Sequence, residues 1–243
     1  MTRSKTEMST ENMTFKYFDF FIVAFVAILI LSNLMASKAA ALQLNFWPFD
    51  GYVFEYGAAV IFFPVSYIIG DILTEVYGYA RARRVVWMGF GAMIFMAVST
   101  QIVLAMPPAD RWDGQAQYDY VFGATPRIVF ASITAFWLGE IANAYVMAKM
   151  KVWSKGKHLW QRTIGSTIVG QGIDSAIFYP IAFYGMWETE MLINIAIFAW
   201  VTKVLWEAFL TPVTYLVINR LKKAEGVDIY DTKTDFTPFS VKR

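Results

Sequence analysis

Six long apolar stretches, each set off by a short polar one, run through this chain. They fall near residues 18–44, 54–77, 84–106, 126–149, 162–187 and 191–220. Each is long enough for a bilayer core that takes about 20 helical residues to cross, so the pattern predicts an all-α protein of six transmembrane helices. The third stretch is the plainest, because Val85 to Ala109 holds no charged residue. Pro64, Pro180 and Pro212 lie inside the second, fifth and sixth stretches and predict kinks there.

The polar stretches alternate in charge. Residues 45–53 carry Asp50 and no base, 78–84 carry Arg81, Arg83 and Arg84, and 107–125 carry three aspartates against Arg111. Residues 149–162 then hold Lys149, Lys151, Lys155, Lys157 and Arg162. Glu188 and Glu190 mark the next turn, and Arg220, Lys222 and Lys223 follow the last span. Basic loops stay on the cytoplasmic side, which places both termini there. The predicted organisation is a cytoplasmic N-terminal tail (1–16), a six-helix membrane domain (17–220) and a cytoplasmic C-terminal tail (221–243). A cleavable leader does not fit, since the charge-free run Phe20–Ser37 exceeds the roughly 7–15 residues of a leader core.

Composition narrows the chemistry. The chain of 243 residues is 57% hydrophobic and only 16% charged, with a mean hydropathy of +0.44, against about 25% charged residues in soluble domains. It has no Cys and one histidine, His158, which rules out thiolate and histidine-cluster metal sites. No Gly-rich phosphate loop or nucleophile elbow is present. These features predict a membrane transporter rather than an enzyme, with no cofactor or metal. The basic residues are clustered beside spans, which speaks for topology and against a direct nucleic-acid partner.

Polar residues inside the spans are the candidate site, because charge at membrane depth is costly and faces a cavity or a partner. The fourth stretch has Glu140 and Asn143, the fifth Gln171, Asp174 and Ser175 on one face, and the sixth Lys203 and Glu207 an i,i+4 pair apart. Asn33 lies in the first. Two readings stand: an interhelical lock in which Lys203 pairs with Glu207, Glu140 or Asp174, or a binding site whose surplus acid awaits a ligand. A carboxylate beside a carboxamide suits the amino-imino edge and carbonyl of a guanine-like ring, and the many aromatic residues could stack it. Asp71 and Glu75, one helical turn apart near the cytoplasmic end of the second stretch, sit before Arg81 and Arg84. An acid–arginine cluster there predicts gating or fold-locking more than substrate contact.

These residues carry a resemblance. Ser32-Asn33-Leu34 with Lys38, the run Phe63-Pro64 through Gly70-Asp71-Ile72-Leu73-Thr74-Glu75-Val76-Tyr77-Gly78, the 81/83/84 arginines, Phe122–Ile128, Gly170–Ser175 and the tail Asp228–Phe239 together resemble the queuosine-precursor transporters of the vitamin uptake transporter family. Thr237 stands where that family pattern has Asn. The resemblance implies import of 7-cyano-7-deazaguanine, 7-aminomethyl-7-deazaguanine or queuine, bases destined for tRNA, across the bacterial inner membrane by a multi-pass secondary carrier or facilitator. It also implies a likeness to the six-helix substrate-binding components of energy-coupling-factor transporters. A substrate-binding subunit of an ATP-driven system, or a carrier of another flat vitamin or nucleobase, is the alternative. The partners it implies are the deazaguanine base and the lipid bilayer, and Gly- and Ala-bearing helix faces leave a homodimer open.

Overall fold

The computed structural model describes residues 14–35, 38–45, 51–57, 62–123, 126–185, 188–232 and 234–240; the expected N-terminal tail lies almost wholly outside them. Among the described residues the chain is helical apart from one hairpin. In order it forms α1 (Phe18–Leu34), β1 (Ala39–Leu44), β2 (Tyr52–Gly57), α2 (Phe63–Tyr77), α3 (Tyr79–Leu104), a short α4 (Gln115–Phe122), α5 (Pro126–Trp153), α6 (Leu159–Phe183) and α7 (Thr189–Glu225). Setting α4 aside, six long helices answer the six apolar stretches. Three runs are long and apolar enough to cross a membrane unaided: Tyr79–Leu104, Gln115–Trp153, which holds α5, and Leu192–Glu225.

The first two stretches differ from expectation. The first ends as helix at Leu34 rather than 44, and the second starts as helix at Phe63 rather than 54. Between them, β1 and β2 pair antiparallel from Ala39 opposite Gly57 to Leu44 opposite Tyr52. The Tyr-Val-Phe content of β2 favours a pleated strand over a helix, and its apolar character had joined it to the following helix. Pro64 is not a mid-helix kink: it stands in the first turn of α2, where a proline's missing N–H costs no helical bond. Pro180 and Pro212 do lie inside α6 and α7.

α2 is the central element. It packs against α1, α3, α5 and α7, and from Ser66 to Tyr77 every residue but the half-buried Ile68 is buried. A helix apolar on nearly all sides belongs in an interior. Its lower half joins Phe25 and Leu29 of α1, Val85 of α3, Ala144, Met147 and Ala148 of α5, and Ile218 and Leu221 of α7 in the main apolar core. By contrast Phe95 of α3, Phe130 of α5, and Phe198, Leu205 and Phe209 of α7 are more than half exposed, as faces meeting hydrocarbon are.

Gly78 makes the turn from α2 into α3 with φ +85°. A Cβ there would lie 2.9 Å from Ile229 and 3.4 Å from the Asp231 carboxylate, so both the backbone and the space require glycine. The chain after α7 accounts for that crowding. Residues 226–232 and 234–240 form no free tail but lie across the α2–α3 turn. Asp231 accepts the Tyr79 N–H at 3.0 Å, Arg83 donates to the carbonyls of Asp235 and Thr237 at 2.7 Å each, and Trp87 donates to that of Pro238. Phe236 packs its ring against Tyr79 and Tyr145. At the same end, the Glu225 carboxylate accepts the backbone N–H groups of Lys16 and Tyr17 and the Tyr77 hydroxyl.

Candidate functional site

α5 and α6 approach closely enough to bring their polar residues together. A Cβ on Gly139 would stand 2.9 Å from the Gly170 carbonyl, and one on Gly170 would stand 2.7 Å from the Asn143 Cβ. Small residues at a helix crossing let backbones come this near. Gly70 plays the same part on α2, since a Cβ there would meet the Glu140 carboxylate at 2.9 Å. Glu140 therefore faces α2 and Gly139 faces α6, while Asn143 packs its Cβ near Gly170 of α6 and turns its amide to Asp71 of α2.

Two polar contacts join the polar residues of α2, α5, α6 and α7 around this crossing. Asn143 donates its Nδ2 to Asp71 Oδ1 at 3.0 Å, and Lys203 Nζ meets Asp174 Oδ2 at 2.5 Å. The first orients the Asn143 amide, because the flipped amide would set oxygen against oxygen. The second resolves which acid Lys203 takes: Asp174 on α6, across the interface, and not Glu207 on its own helix. Interhelical locking thus explains part of the polar set.

It does not explain the rest. Asp71, Glu140, Asn143, Gln171, Ser175 and Glu207 are all at most 3% exposed. Among the described residues no donor meets Asp71 Oδ2, Asn143 Oδ1, Gln171 Oε1, Ser175 Oγ or either Glu207 oxygen. Each buried polar group left unmatched costs about 1–3 kcal/mol, so these six oxygens are acceptors that N–H or O–H donors would stabilise. The set comes from α2, α5, α6 and α7. Tyr67, which the sequence reading passed over inside an apolar run, belongs with it, being buried and within electrostatic reach of Asp174, Glu140 and Glu207. Its signal was its register: Tyr67, Asp71 and Glu75 succeed one another every four residues on α2.

One turn below Asp71 the chemistry changes from unmatched to fully matched. Glu75 is completely buried. Both its oxygens accept from Arg162, at 2.7 and 2.8 Å, and Oε1 also meets Lys222 at 2.5 Å and Lys151 at 3.4 Å. Lys151 and Lys222 reach Asp228 as well, at 2.7 and 2.8 Å. Burial raises the Asp228 carboxyl, but the hydrogen bonds and charges of those two lysines outweigh it and hold it below the usual carboxylate range. This knot ties the ends of α2, α5, α6 and α7 to the C-terminal strap.

The expected partners of Glu75 were the arginines after α2, and there the structure differs. Arg81 donates to the Tyr77 carbonyl and lies over the Phe15 ring, Arg83 is buried under the strap, and Arg84 is exposed. The tight turn at Gly78 starts α3 back across the bundle, so its first arginines leave α2's face. The ends of α5, α6 and α7 supply the bases instead. Nor is Asp71 remote from the mid-depth polar set, since it is hydrogen-bonded to Asn143.

Asn33 stands apart. Its Nδ2 donates to the Leu29 carbonyl at 2.9 Å and its Oδ1 accepts from Ser132 at 3.3 Å. It borders a cavity of about 710 Å³ walled by α1, α3, α4, α5 and α6, with Met93, Ile94, Phe122, Phe130 and Phe178 in the lining. That space is apolar, and Asn33 is its one residue from the predicted site set. Next to the lining residue Ile128, Arg127 at the start of α5 donates to the Ile181 and Tyr184 carbonyls and so caps α6.

Known proteins are similar to this chain in sequence. The chain is 33% identical over 134 residues to a Bacillus subtilis protein named "Probable queuosine precursor transporter", covering 55% of this chain and 58% of that one. It is 25% identical over 165 residues to the Escherichia coli "Queuosine precursor transporter", covering 66% of this chain and 72% of the relative. A Haemophilus influenzae protein named "Probable queuosine precursor transporter" is 21% identical over 126 residues, half of each chain. The first of these matches thus spans less than two thirds of the relative's length. No solved structure matches the chain. The family model described as "Putative vitamin uptake transporter" matches residues 57–217, a span that takes in α2, the paired glycines of α5 and α6 and every unmatched oxygen. With its central helix and its whole mid-depth polar set inside that match, the chain belongs to the vitamin uptake transporter family.

Proposed function

We propose that this protein imports queuosine precursors, as 7-cyano-7-deazaguanine, 7-aminomethyl-7-deazaguanine or queuine, across the bacterial inner membrane. It does so as a secondary carrier or facilitator of six spans, with both termini in the cytoplasm. The observation that carries the reading is the set of unmatched buried oxygens on four helices, combined with relatives named for that cargo. A guanine-type ring offers N–H donors along one edge, and Asp71 Oδ2 beside Asn143 Oδ1 forms a pair of acceptors for it. Gln171, Ser175 and Glu207 offer further unmatched acceptors, and Glu140 and the Asp174–Lys203 pair add charge to the same set. Asp71 and Glu75, one turn apart on α2, couple the pocket to the cytoplasmic knot, which opens to release the base.

Liposomes holding this chain alone should accumulate labelled base, whereas a subunit dependent on an ATP-driven module would stay inert. Asp174→Asn is expected to fold and to lose at least tenfold in base uptake, because Lys203 is left without its carboxylate at the pocket wall. Normal binding and uptake by that variant would remove Asp174 from the site.

A further inference from the structure

We infer that the pocket selects bases carrying a protonated amine arm over uncharged analogues. The inference rests on the proposed reading of the site as a base pocket and adds a ligand charge to it. Seven buried side-chain atoms lack a partner among the described residues: six oxygens that accept, and the Trp137 Nε1, which only donates. With the carboxyls ionised, only the Ser175 hydroxyl of the six can also donate. Four carboxylates lie in this region (Asp71, Glu140, Asp174 and Glu207), and its one base, Lys203, is already engaged by Asp174. Asn143 spends one of its two amide N–H groups on Asp71, and the donors left, its second N–H, the Gln171 amide and the Tyr67 hydroxyl, are neutral and bring no positive charge to the carboxylates. The flat edge of a guanine-type ring answers two or three acceptors and leaves others, foremost the two Glu207 oxygens.

An alkylammonium arm supplies what is lacking, with three N–H donors, a positive charge and no acceptor. A nitrile arm does the reverse, adding one more acceptor to a site already rich in them. A buried carboxylate facing an ammonium is stabilised by charge and hydrogen bonds together, whereas beside a nitrile it stays unmatched. Among the described residues no three carboxylates gather with metal-ligand geometry, so an organic cation suits the site better than a metal ion. Glu207, 1% exposed with both oxygens unmatched, is the residue that receives the arm.

The full chain in detergent or nanodiscs, titrated calorimetrically near neutral pH, tests this with three probes: 7-aminomethyl-7-deazaguanine, its N-acetylated neutral derivative, and 7-cyano-7-deazaguanine. The amine is expected to bind at least tenfold more tightly than either neutral base. Equal or tighter binding of the cyano or acetyl compound overturns the amine preference while leaving the base pocket intact. If none of the three binds better than adenine, the transport reading falls with it. In a folded Glu207→Gln protein the amine-to-cyano ratio should shrink to threefold or less, and an undiminished ratio would move the arm away from Glu207. Should that variant not fold, the wild-type ratio decides alone.

Discussion

Glu75 shows how much one carboxylate can hold. It is wholly buried and faces Arg162, Lys151 and Lys222, of which Lys151 and Arg162 are themselves at most 2% exposed. Removing one member of a buried ionic cluster leaves the others charged and unmatched, at a cost of about 3–5 kcal/mol. Glu75→Gln should therefore lower the thermal midpoint in detergent sharply, and more than Glu225→Gln, which leaves neutral amides and a hydroxyl behind. Asp235 gives a pH test outside the membrane. Hydrogen bonds from the Thr237 backbone N–H, its hydroxyl and that of Ser240 hold its carboxyl at about 2, against an ordinary value of 3.8. A carboxyl lowered on folding stabilises above its unfolded value and loses that contribution as pH falls through the folded one. Amide protection of residues 234–240 should thus weaken between about pH 4 and pH 2, and Asp235→Asn should remove that part of the pH dependence. Which polar residues stand buried between the helices was largely legible from the sequence, because polar side chains inside apolar helices stand out. Their pairings were not. Lys203 has Glu207 one turn away on its own helix, and only the approach of α6 turns it to Asp174.

At the scale of elements, helix packing rather than helix propensity positions the site. Gly139 and Gly170 set the distance between α5 and α6, and Asn143 reaches Asp71 from that crossing. Gly170→Ala would bring a methyl to 2.7 Å from the Asn143 Cβ and to 2.9 Å from a backbone carbonyl. Overpacking of this kind costs about 1–3 kcal/mol, so the variant should melt earlier and bind base more weakly, even though alanine is the better helix former. Normal melting would show that the crossing has slack. Glycines on the fifth apolar stretch suggested close packing from the sequence, but their partner, Gly139, sits beside Glu140 and drew no notice. The hairpin was the harder element. Its strands are rich in apolar residues, and a hydropathy pattern cannot separate a short apolar strand from a helix end. Pro64 held the better clue, since a proline two residues into a helix marks a beginning.

For the molecule as a whole, alternation of basic and acidic loops predicted which helix ends lie together, and the structure groups them so. The start of α1, the α2–α3 turn, the α5–α6 connection and the end of α7 share one end of the bundle, joined through Glu225, Glu75 and Asp231. The strap after α7 escaped the sequence reading, because a short polar segment with scattered aromatics looks the same whether docked or free. Docked, it covers Tyr79, Arg83 and Lys151. Ending the chain at Gly226 should expose them, lower the thermal midpoint by several degrees and abolish uptake. A truncated protein with wild-type melting and uptake would show the strap to be an ornament of the fold.

The Glu225 carboxylate has one more consequence, and it concerns time. It holds the first amides of α1 from 209 positions further along the chain. During synthesis α1 enters the membrane long before that carboxylate exists, so its leading turn stays open until the last helix has left the ribosome. The bundle is then sealed by its newest residues. A chain stalled at position 224 should carry every span and still leave its first helix unfastened, which accessibility of residues 16 and 17 to a membrane-impermeant label would reveal.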